Sequence, residues 1–190
     1  IRSTRRNSSS LMSPQQQLLG AIARGDLDQV HWLISEGAAV NFRGDDPEGE
    51  TPLIRAVTSG QLEVVRLLIG LGADVNSAGS LTGWTPLMFA LSRPDIMGEL
   101  IAGGADVSAR GAVRDVISPA SGKRIRRGGD TALHLAAAAN HVEAVKLLIQ
   151  AGADVEALNE SGAAPLDVAL RVGSVTAVAT ALVEAGARLT

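Results

Sequence analysis

The stretch TPLIRAVTSGQLEVVRLLIGLGADVN, residues 51–76, contains the pattern that decides the fold of this chain. Thr51 suits a helix N-cap, because its hydroxyl can accept a hydrogen bond from an unpaired backbone amide, and Pro52 suits the first helical position, which needs no amide donor. After a glycine break, the run 62–69 places apolar residues at helical spacing. Gly72 follows at a position where helices often end in a left-handed residue. The stretch therefore predicts two short helices joined by a turn.

This helix-pair unit recurs along the chain. Helices of this length are marginal in water on their own, so each pair must bury its apolar face against a neighbouring pair. A self-similar unit of about 33 residues therefore predicts a one-dimensional stack of helix pairs. The most regular landmark is a Gly-Ala closure, which is found at Gly37-Ala38, Gly72-Ala73, Gly104-Ala105, Gly152-Ala153 and Gly186-Ala187, at intervals of 35, 32, 48 and 34 residues.

The Thr-Pro-Leu start, the glycine turn and the Gly-Ala closure together resemble the ankyrin repeat. Further copies begin at Thr85, Thr131 and Ala164, and a first copy has a weaker start. The resemblance covers residues 14–190 and implies an all-α repeat solenoid, in which helix-loop-helix units are joined by β-hairpin finger loops and form a concave surface. The expected repeats are approximately 15–41, 46–76, 80–108, 126–156 and 159–190. Residues 1–13 are basic and Ser-rich, which predicts a disordered tail.

Composition excludes several classes of protein. Hydrophobic residues make up 46% of the 190 residues but aromatic residues only 2%, which predicts a core of Leu, Val, Ile and Ala. Without Cys there is no disulfide framework, thiolate metal site or Cys nucleophile. No apolar run approaches the length of a membrane span, and a net charge of −3 disfavours polyanion binding by the whole surface. We expect an intracellular protein, cytoplasmic or nuclear.

The finger between the third and fourth repeats is unusually long. Alignment places Ala105 and Thr131 26 residues apart, where other fingers need 11 to 13, so an insertion of about 14 residues lies at approximately 109–129. This segment carries six basic residues against one acid, and the basic residues Lys123, Arg124, Arg126 and Arg127 are candidates for partner contact. Its apolar flanks and turn-rich centre predict an extended hairpin. Three interpretations stay open: a solvated loop, an arm for an acidic protein partner, or contact with nucleic acid or an anionic membrane, for which base-stacking aromatics are missing.

The third repeat departs from the pattern beside this insertion. It is two residues shorter than the second, and Ser92-Arg93-Pro94 replaces the glycine turn. Pro94 suits the start of the second helix. We expect this unit to be the least regular of the stack. The last helix, 175–183, is apolar nearly all round, so we also expect either more protein after Thr190 or packing of this end on something.

The ankyrin resemblance implies that partners meet the fingertips and the ends of the inner helices. Trp84 is the first candidate, because Trp is enriched among interface hot spots; the alternative is that the long neighbouring finger folds over Trp84 and buries it. Trp32 aligns with Leu67 and Leu147 and is predicted to lie in the core. The other candidates are Glu48, Glu50, Thr82 and Asp130 at the fingertips and Thr58, Ser59 and Arg93 at the ends of inner helices.

Nothing in the sequence favours catalysis. His31, His134 and His141 occupy positions that the repeat explains, and a phosphate-binding loop, paired metal ligands and a nucleophile elbow are absent. We therefore expect no catalytic residue, no cofactor and no metal. The favoured hypothesis is a scaffold, adaptor or inhibitor that binds a protein partner. The alternatives are a substrate-recruiting or autoinhibitory domain of a larger enzyme, and polyanion contact by the basic finger.

Overall fold

The computed structural model describes residues 12–44, 49–117, 124–171, 173 and 177–189. The predicted tail therefore lies outside the described residues, apart from Met12 and Ser13. The described part contains ten helices and one two-stranded sheet: α1 (Pro14–Arg24), α2 (Leu27–Ser35), α3 (Pro52–Ser59), α4 (Leu62–Gly70), α5 (Pro86–Phe89), α6 (Pro94–Ala102), β1 (Arg114–Ile117), β2 (Arg124–Arg127), α7 (Ala132–Ala138), α8 (Val142–Gln150), α9 (Pro165–Arg171) and α10 (Ala177–Glu184).

The helices form five units of two helices each, stacked in chain order. Helices α1, α3, α5, α7 and α9 pack against one another as a first row, and α2, α4, α6, α8 and α10 pack as a second row. Within each unit the two helices also contact each other. The core is continuous along the stack and consists mainly of Leu, Val, Ile and Ala, as composition predicts. The predicted all-α repeat solenoid is confirmed.

The Gly-Ala closures end the second helix of every unit in the same way. The five glycines have φ between 85° and 99°, a left-handed conformation in which a side chain would be strained. The amide of the alanine that follows donates to a leucine carbonyl five residues earlier, at 2.9–3.0 Å in all five units. These leucines are all buried: Leu33, Leu68, Leu100, Leu148 and Leu182. The closure therefore ends each helix and fixes its last buried leucine.

The threonines that begin the first-row helices have different hydrogen bonds. Thr51 Oγ1 accepts from the Ile54 amide at 3.2 Å, as predicted for an N-cap. Thr131 Oγ1 instead lies 2.9 Å from Nδ1 of His134. Thr85 Oγ1 is buried without a hydrogen-bond partner at the start of the short helix α5. Ser13, which the repeat pattern assigns to the tail, caps α1.

Asparagine side chains connect successive units. Asn41 Nδ2 donates to the Gly72 carbonyl at 2.9 Å, and its Oδ1 accepts the Asp74 amide at 2.8 Å. Asn76 makes the corresponding two bonds with the third unit, at 3.2 and 2.8 Å. Ser108 holds the same position in the third unit, where its short side chain lacks the amide, and a cavity of about 140 Å³ lies there. This asparagine ladder is interrupted between the third and fourth units.

The third unit contains the shortest helix of the described part. Helix α5 has four residues, whereas the first-row helices on either side have eight and seven. Helix α6 begins at Pro94, as its sequence predicts. The two residues missing from this unit remove the last turn of the first helix. The prediction that this unit is the least regular is consistent with these lengths.

The prediction that Trp32 belongs to the core is wrong, because its side chain is 55% exposed. Its counterpart Leu67 lies in a groove with Leu27 and His31, so this position faces the preceding unit. Trp32 is in the first unit, and among the described residues no helix packs on that side. The alignment identified the correct helical position but not the missing neighbour.

The fifth unit exposes apolar side chains that are buried within the stack. Leu170 and Leu189 are 40% and 70% exposed, whereas their counterparts in the second unit, Val57 and Val75, are 0% and 8% exposed. Val183 is 56% exposed on α10. The third unit covers the corresponding positions of the second unit.

Candidate protein-binding groove

Four finger loops connect the units, and an equivalent backbone hydrogen bond lies at the base of each. The bonds run from the amides of Gly44, Gly79, Gly111 and Asn159 to the carbonyls of Glu50, Trp84, Asp130 and Ala163, at 2.9–3.0 Å. The four acceptor residues therefore occupy equivalent positions, immediately before a first-row helix. Three of them were predicted as candidates at the fingertips. The structure places them instead at the base of each finger, next to the helices.

In the second and third units, the side chain at this position pairs with the helix residue five positions later. Glu50 forms an ion pair with Arg55, with Oε2 and Nη2 2.5 Å apart. In the next unit Trp84 and Phe89 replace this pair, with ring centroids 5.4 Å apart in an edge-to-face arrangement. Such aromatic pairs are favourable beyond the area that they bury. The second unit therefore presents a charged pair and the third unit an aromatic pair.

A cavity of about 90 Å³ lies between finger 2, helix α3 and helix α5. Its apolar wall consists of Ile54, Leu81 and Phe89, of which Leu81 is 46% exposed at the rim. The predicted residues Glu50, Thr58 and Thr82 line it as well. Trp84 borders it through its contact with Phe89. The structure thus brings four of the predicted residues to one place.

The polar groups in this cavity have partners within the chain. The Thr58 hydroxyl lies 3.0 Å from Oε1 of Glu50, whose residue is only 9% exposed. The Thr82 hydroxyl accepts from the Trp84 amide at 3.2 Å. Because these groups are already paired, an apolar side chain can enter without leaving a buried polar atom unsatisfied. The cavity is therefore suited to an apolar group.

We call the insertion, residues 110–129, the basic arm; its described residues include strands β1 and β2. Strands β1 and β2 are antiparallel, with Val116 opposite Ile125, which confirms the predicted hairpin. Arg110 Nη1 donates to the Gly129 carbonyl at the base of the arm, at 3.0 Å, and to the Leu158 carbonyl in the next finger, at 2.6 Å. Candidate Lys123 lies in 118–123, outside the described residues. The candidates Arg124, Arg126 and Arg127 form β2.

The base of the basic arm adjoins the cavity. The Ala112 amide donates to the Thr82 carbonyl at 2.8 Å. A side chain added at Gly111 would come within 3.2 Å of the Trp84 indole, so the arm packs against this ring. Trp84 is consequently half-buried. The long finger therefore covers part of the ring and leaves part of it exposed, and the role of Trp84 as an anchor stays a prediction.

The remaining predicted candidates lie elsewhere or serve contacts between units. Arg93 Nη1 donates to the Val57 carbonyl at 2.9 Å and so ties the third unit to the second. Asp130 Oδ1 accepts from Asn159 Nδ2 at 2.8 Å. Ser59 is half-buried at the end of α3, and Glu48 lies outside the described residues. Sequence reasoning missed Leu81 and Phe89. Phe89 follows Trp84 by five residues, as Arg55 follows Glu50, and this repeated spacing is the signal that identifies Phe89.

The His134 ring is buried, and both of its nitrogens are hydrogen-bonded within the chain. It is 1% exposed, its Nδ1 accepts the Thr131 amide at 3.2 Å, and its Nε2 donates to the Ala163 carbonyl at 3.0 Å. Burial lowers the pKa of His134, although the Ala163 contact opposes this. The neutral ring therefore joins the fourth unit to the fifth. Within the described ranges, no three His, Asp or Glu side chains converge on a possible metal position, and no helix there is long and apolar enough to cross a membrane.

Stacked helix pairs, left-handed Gly-Ala closures and finger loops define a helical repeat protein. The family model for ankyrin repeats (three copies) matches residues 18–111 and again residues 110–190. The chain therefore belongs to the ankyrin-repeat family, as the resemblance implies.

Proposed function

We propose that this chain is a non-catalytic interaction module that binds a protein partner in the groove between finger 2 and the first-row helices. Ankyrin repeats are generally protein–protein interaction modules. The observation that supports this location is the cavity beside the Trp84–Phe89 pair, whose polar groups are already paired. A scaffold, adaptor or inhibitor of intracellular proteins would use such a groove.

The energetics favour Trp84 as the anchor. A half-buried ring with a fixed edge-to-face neighbour loses little conformational freedom on binding, and aromatic side chains in partly desolvated pockets dominate interface energies. Leu81 adds an apolar rim to the same cavity. Together they would form a small apolar centre surrounded by polar finger residues, which is the usual anatomy of a specific interface.

The test compares the two tryptophans. Trp84→Ala and Trp32→Ala proteins are immobilised and used to capture partners from an extract of the native host, with the unaltered protein as reference. Trp32 is the matched control, because it is exposed but lies on α2. We expect Trp84→Ala alone to lose a partner that the reference retains. Equal recovery of every partner by the reference and Trp84→Ala would refute the proposed location.

The basic arm supports a second candidate function, contact with a polyanion. Its sequence contains six Lys and Arg residues against one acid, in a chain of net charge −3, and a local excess of positive charge attracts phosphate groups. The test is binding of heparin or single-stranded RNA by a variant with Lys123, Arg124, Arg126 and Arg127 replaced by Gln. Binding unchanged from the unaltered chain would eliminate this function.

A further inference from the structure

We propose that the base of the basic arm is a strap that holds the fourth and fifth units on the first three. When the strap is released, the last two units come away and unfold together, the first three stay folded, and more of Trp84 becomes exposed. The strap consists of residues 110–113 and 128–129, which lie within the described ranges. This device goes beyond the proposed protein-binding function and does not depend on it.

The junction between the third and fourth units is weakly reinforced. Ser108 interrupts the asparagine ladder here, beside a cavity of about 140 Å³. Atoms that line a cavity lose packing contacts on one side. Helix α5 has only four residues, and it packs less extensively against α7 than against α3. We therefore expect the stack to separate at this junction when it opens in part.

The strap supplies hydrogen bonds at this junction. The Ala112 amide donates to the Thr82 carbonyl of finger 2 at 2.8 Å. The Gly128 carbonyl accepts from the Glu160 amide of finger 4 at 3.2 Å. Within the described part of the chain, these are the two backbone hydrogen bonds that join one finger to another. The strap therefore connects finger 2 to finger 4 where the asparagine ladder is interrupted.

Arg110 fastens the strap to finger 4, because its Nη1 donates to the Leu158 carbonyl at 2.6 Å. Arg43 is its counterpart in finger 1, where Nη1 donates to the equivalent carbonyl of finger 2 at 2.8 Å. Each arginine also has a second acceptor. Asn41 reinforces the junction beside Arg43, whereas Ser108 stands at that position beside Arg110. Loss of the arginine bond should consequently matter more at Arg110.

Two detached units are too few to stay folded. Each unit buries its apolar faces against its neighbours, and a stack needs at least about three repeats for stability. The first three units meet this number, whereas the fourth and fifth do not. Release of the strap therefore removes the last two units together, as one cooperative unit of partial unfolding.

The strap also covers one side of the Trp84 ring. A Cβ placed at Gly111 would lie 3.2 Å from the indole, so the backbone of the strap packs against it. Trp84 and its partner Phe89 belong to the third unit, which stays folded. Release of the strap therefore uncovers this side of the ring and keeps the aromatic pair, so that the groove has two forms in equilibrium.

Native-state hydrogen exchange of the full chain tests the strap. The Ala73 and Ala153 amides each bond at 2.9 Å to a leucine carbonyl, at the ends of α4 and α8. Both alanines follow a glycine, so their intrinsic exchange rates match. We expect the Ala153 amide to exchange faster than the Ala73 amide and with a weaker dependence on urea, because partial unfolding exposes less surface than global unfolding.

Two arginine variants locate the effect. Arg110→Met should accelerate exchange of the Ala153 amide about tenfold, through loss of a hydrogen bond from a charged donor. Arg43→Met is the matched control, because its bond persists while only the last two units are unfolded, so the Ala153 rate should change by less than about twofold. If the chain unfolded only as a whole, both variants would accelerate Ala153 alike.

Trp84 fluorescence measures the effect on the groove. Trp32→Phe leaves Trp84 as the remaining one of the two tryptophans in the chain. When Arg110→Met is added to this background, Trp84 emission should begin to shift to longer wavelength at urea concentrations at which the Ala73 amide is still protected.

Three results would overturn the strap: no acceleration of Ala153 by Arg110→Met, equal acceleration by both arginine variants, or identical urea dependence of the Ala73 and Ala153 amides. A Trp84 shift that occurs only with the loss of Ala73 protection would refute the effect on the groove. None of these results bears on the capture of partners by Trp84→Ala, so the proposed function stands or falls separately.

Discussion

Replacing Ser108 by Asn should stabilise the junction between the third and fourth units. Asn41 and Asn76 each make two hydrogen bonds to the next unit, to a glycine carbonyl and to an aspartate amide. The Ser108 amide donates to Oδ1 of Asp106 at 2.8 Å, just as the Asn76 amide donates to Oδ1 of Asp74 at 2.9 Å. The local backbone is therefore ready for an asparagine, which would reach Gly152 and Asp154.

The magnitude follows from the two bonds. A net hydrogen bond contributes roughly 0.5–1.5 kcal/mol, and the lower end applies because Asn41 and Asn76 are exposed. The gain is about 1 kcal/mol in the free energy of unfolding, which corresponds to a rise of about 2–4 °C in Tm for a domain of this size. The reverse change, Asn76→Ser, should cost the same amount, so the double exchange should be nearly neutral.

Urea unfolding followed by circular dichroism measures these differences, and hydrogen exchange locates them. In Ser108→Asn the Asp154 amide should become protected, since it gains an acceptor. Ser92→Asn is the control, because Ser92 is exposed in the turn before α6. If Asn76→Ser destabilises but Ser108→Asn leaves both the midpoint and the Asp154 exchange rate unchanged, the interrupted ladder is not what distinguishes this junction.

Three further changes test other contacts. Gly128→Ala should lower Tm more than Gly162→Ala. Both glycines have positive φ, but only at Gly128 would the added Cβ overlap the Ala112 carbonyl. Thermal unfolding scans of the two variants compare their Tm values. Arg93→Met should cost about 1–2 kcal/mol by losing the bond to Val57, measured by urea unfolding, whereas Arg66→Met, at an exposed ion pair, should shift the midpoint less. The folded pKa of His134 is lower than its unfolded value of about 6.5, so its contribution to the free energy of unfolding is fully present above about pH 6.5 and is lost as the pH falls toward the folded pKa. In His134→Gln the free energy of unfolding should therefore fall less between about pH 7.5 and 5.5. An identical fall would contradict this origin.

Repeat register, helix ends and the site of the insertion could all be predicted from the sequence. The Gly-Ala closures depend on local backbone conformation, which a glycine determines through its neighbours in the chain. The same holds for Pro94, where α6 begins. The hairpin of the basic arm was also predictable, because its strands are close in sequence and separated by turn residues.

Exposure and partner contacts were less predictable, since they depend on which units lie on either side. Trp32 aligns with half-buried leucines yet is exposed, because its side of the first unit has no described neighbour. Arg93 was predicted as a candidate for partner contact, but its side chain bonds to a carbonyl 36 residues earlier. Leu81 gave no motif, and it meets Phe89 at one cavity only because finger 2 lies over α5.

The sequence by itself thus determined the stack, its five closures and the position of the basic arm. All of these follow from short-range rules: helix capping, glycine at positive φ and hydrophobic spacing. The tertiary structure alone decided that Glu50, Thr58 and Thr82 line one cavity, that Trp84 borders it through Phe89, and that the arm adjoins it. The physical reason is that each unit buries its faces against its neighbours, so a side chain's surroundings come from units about 33 residues away.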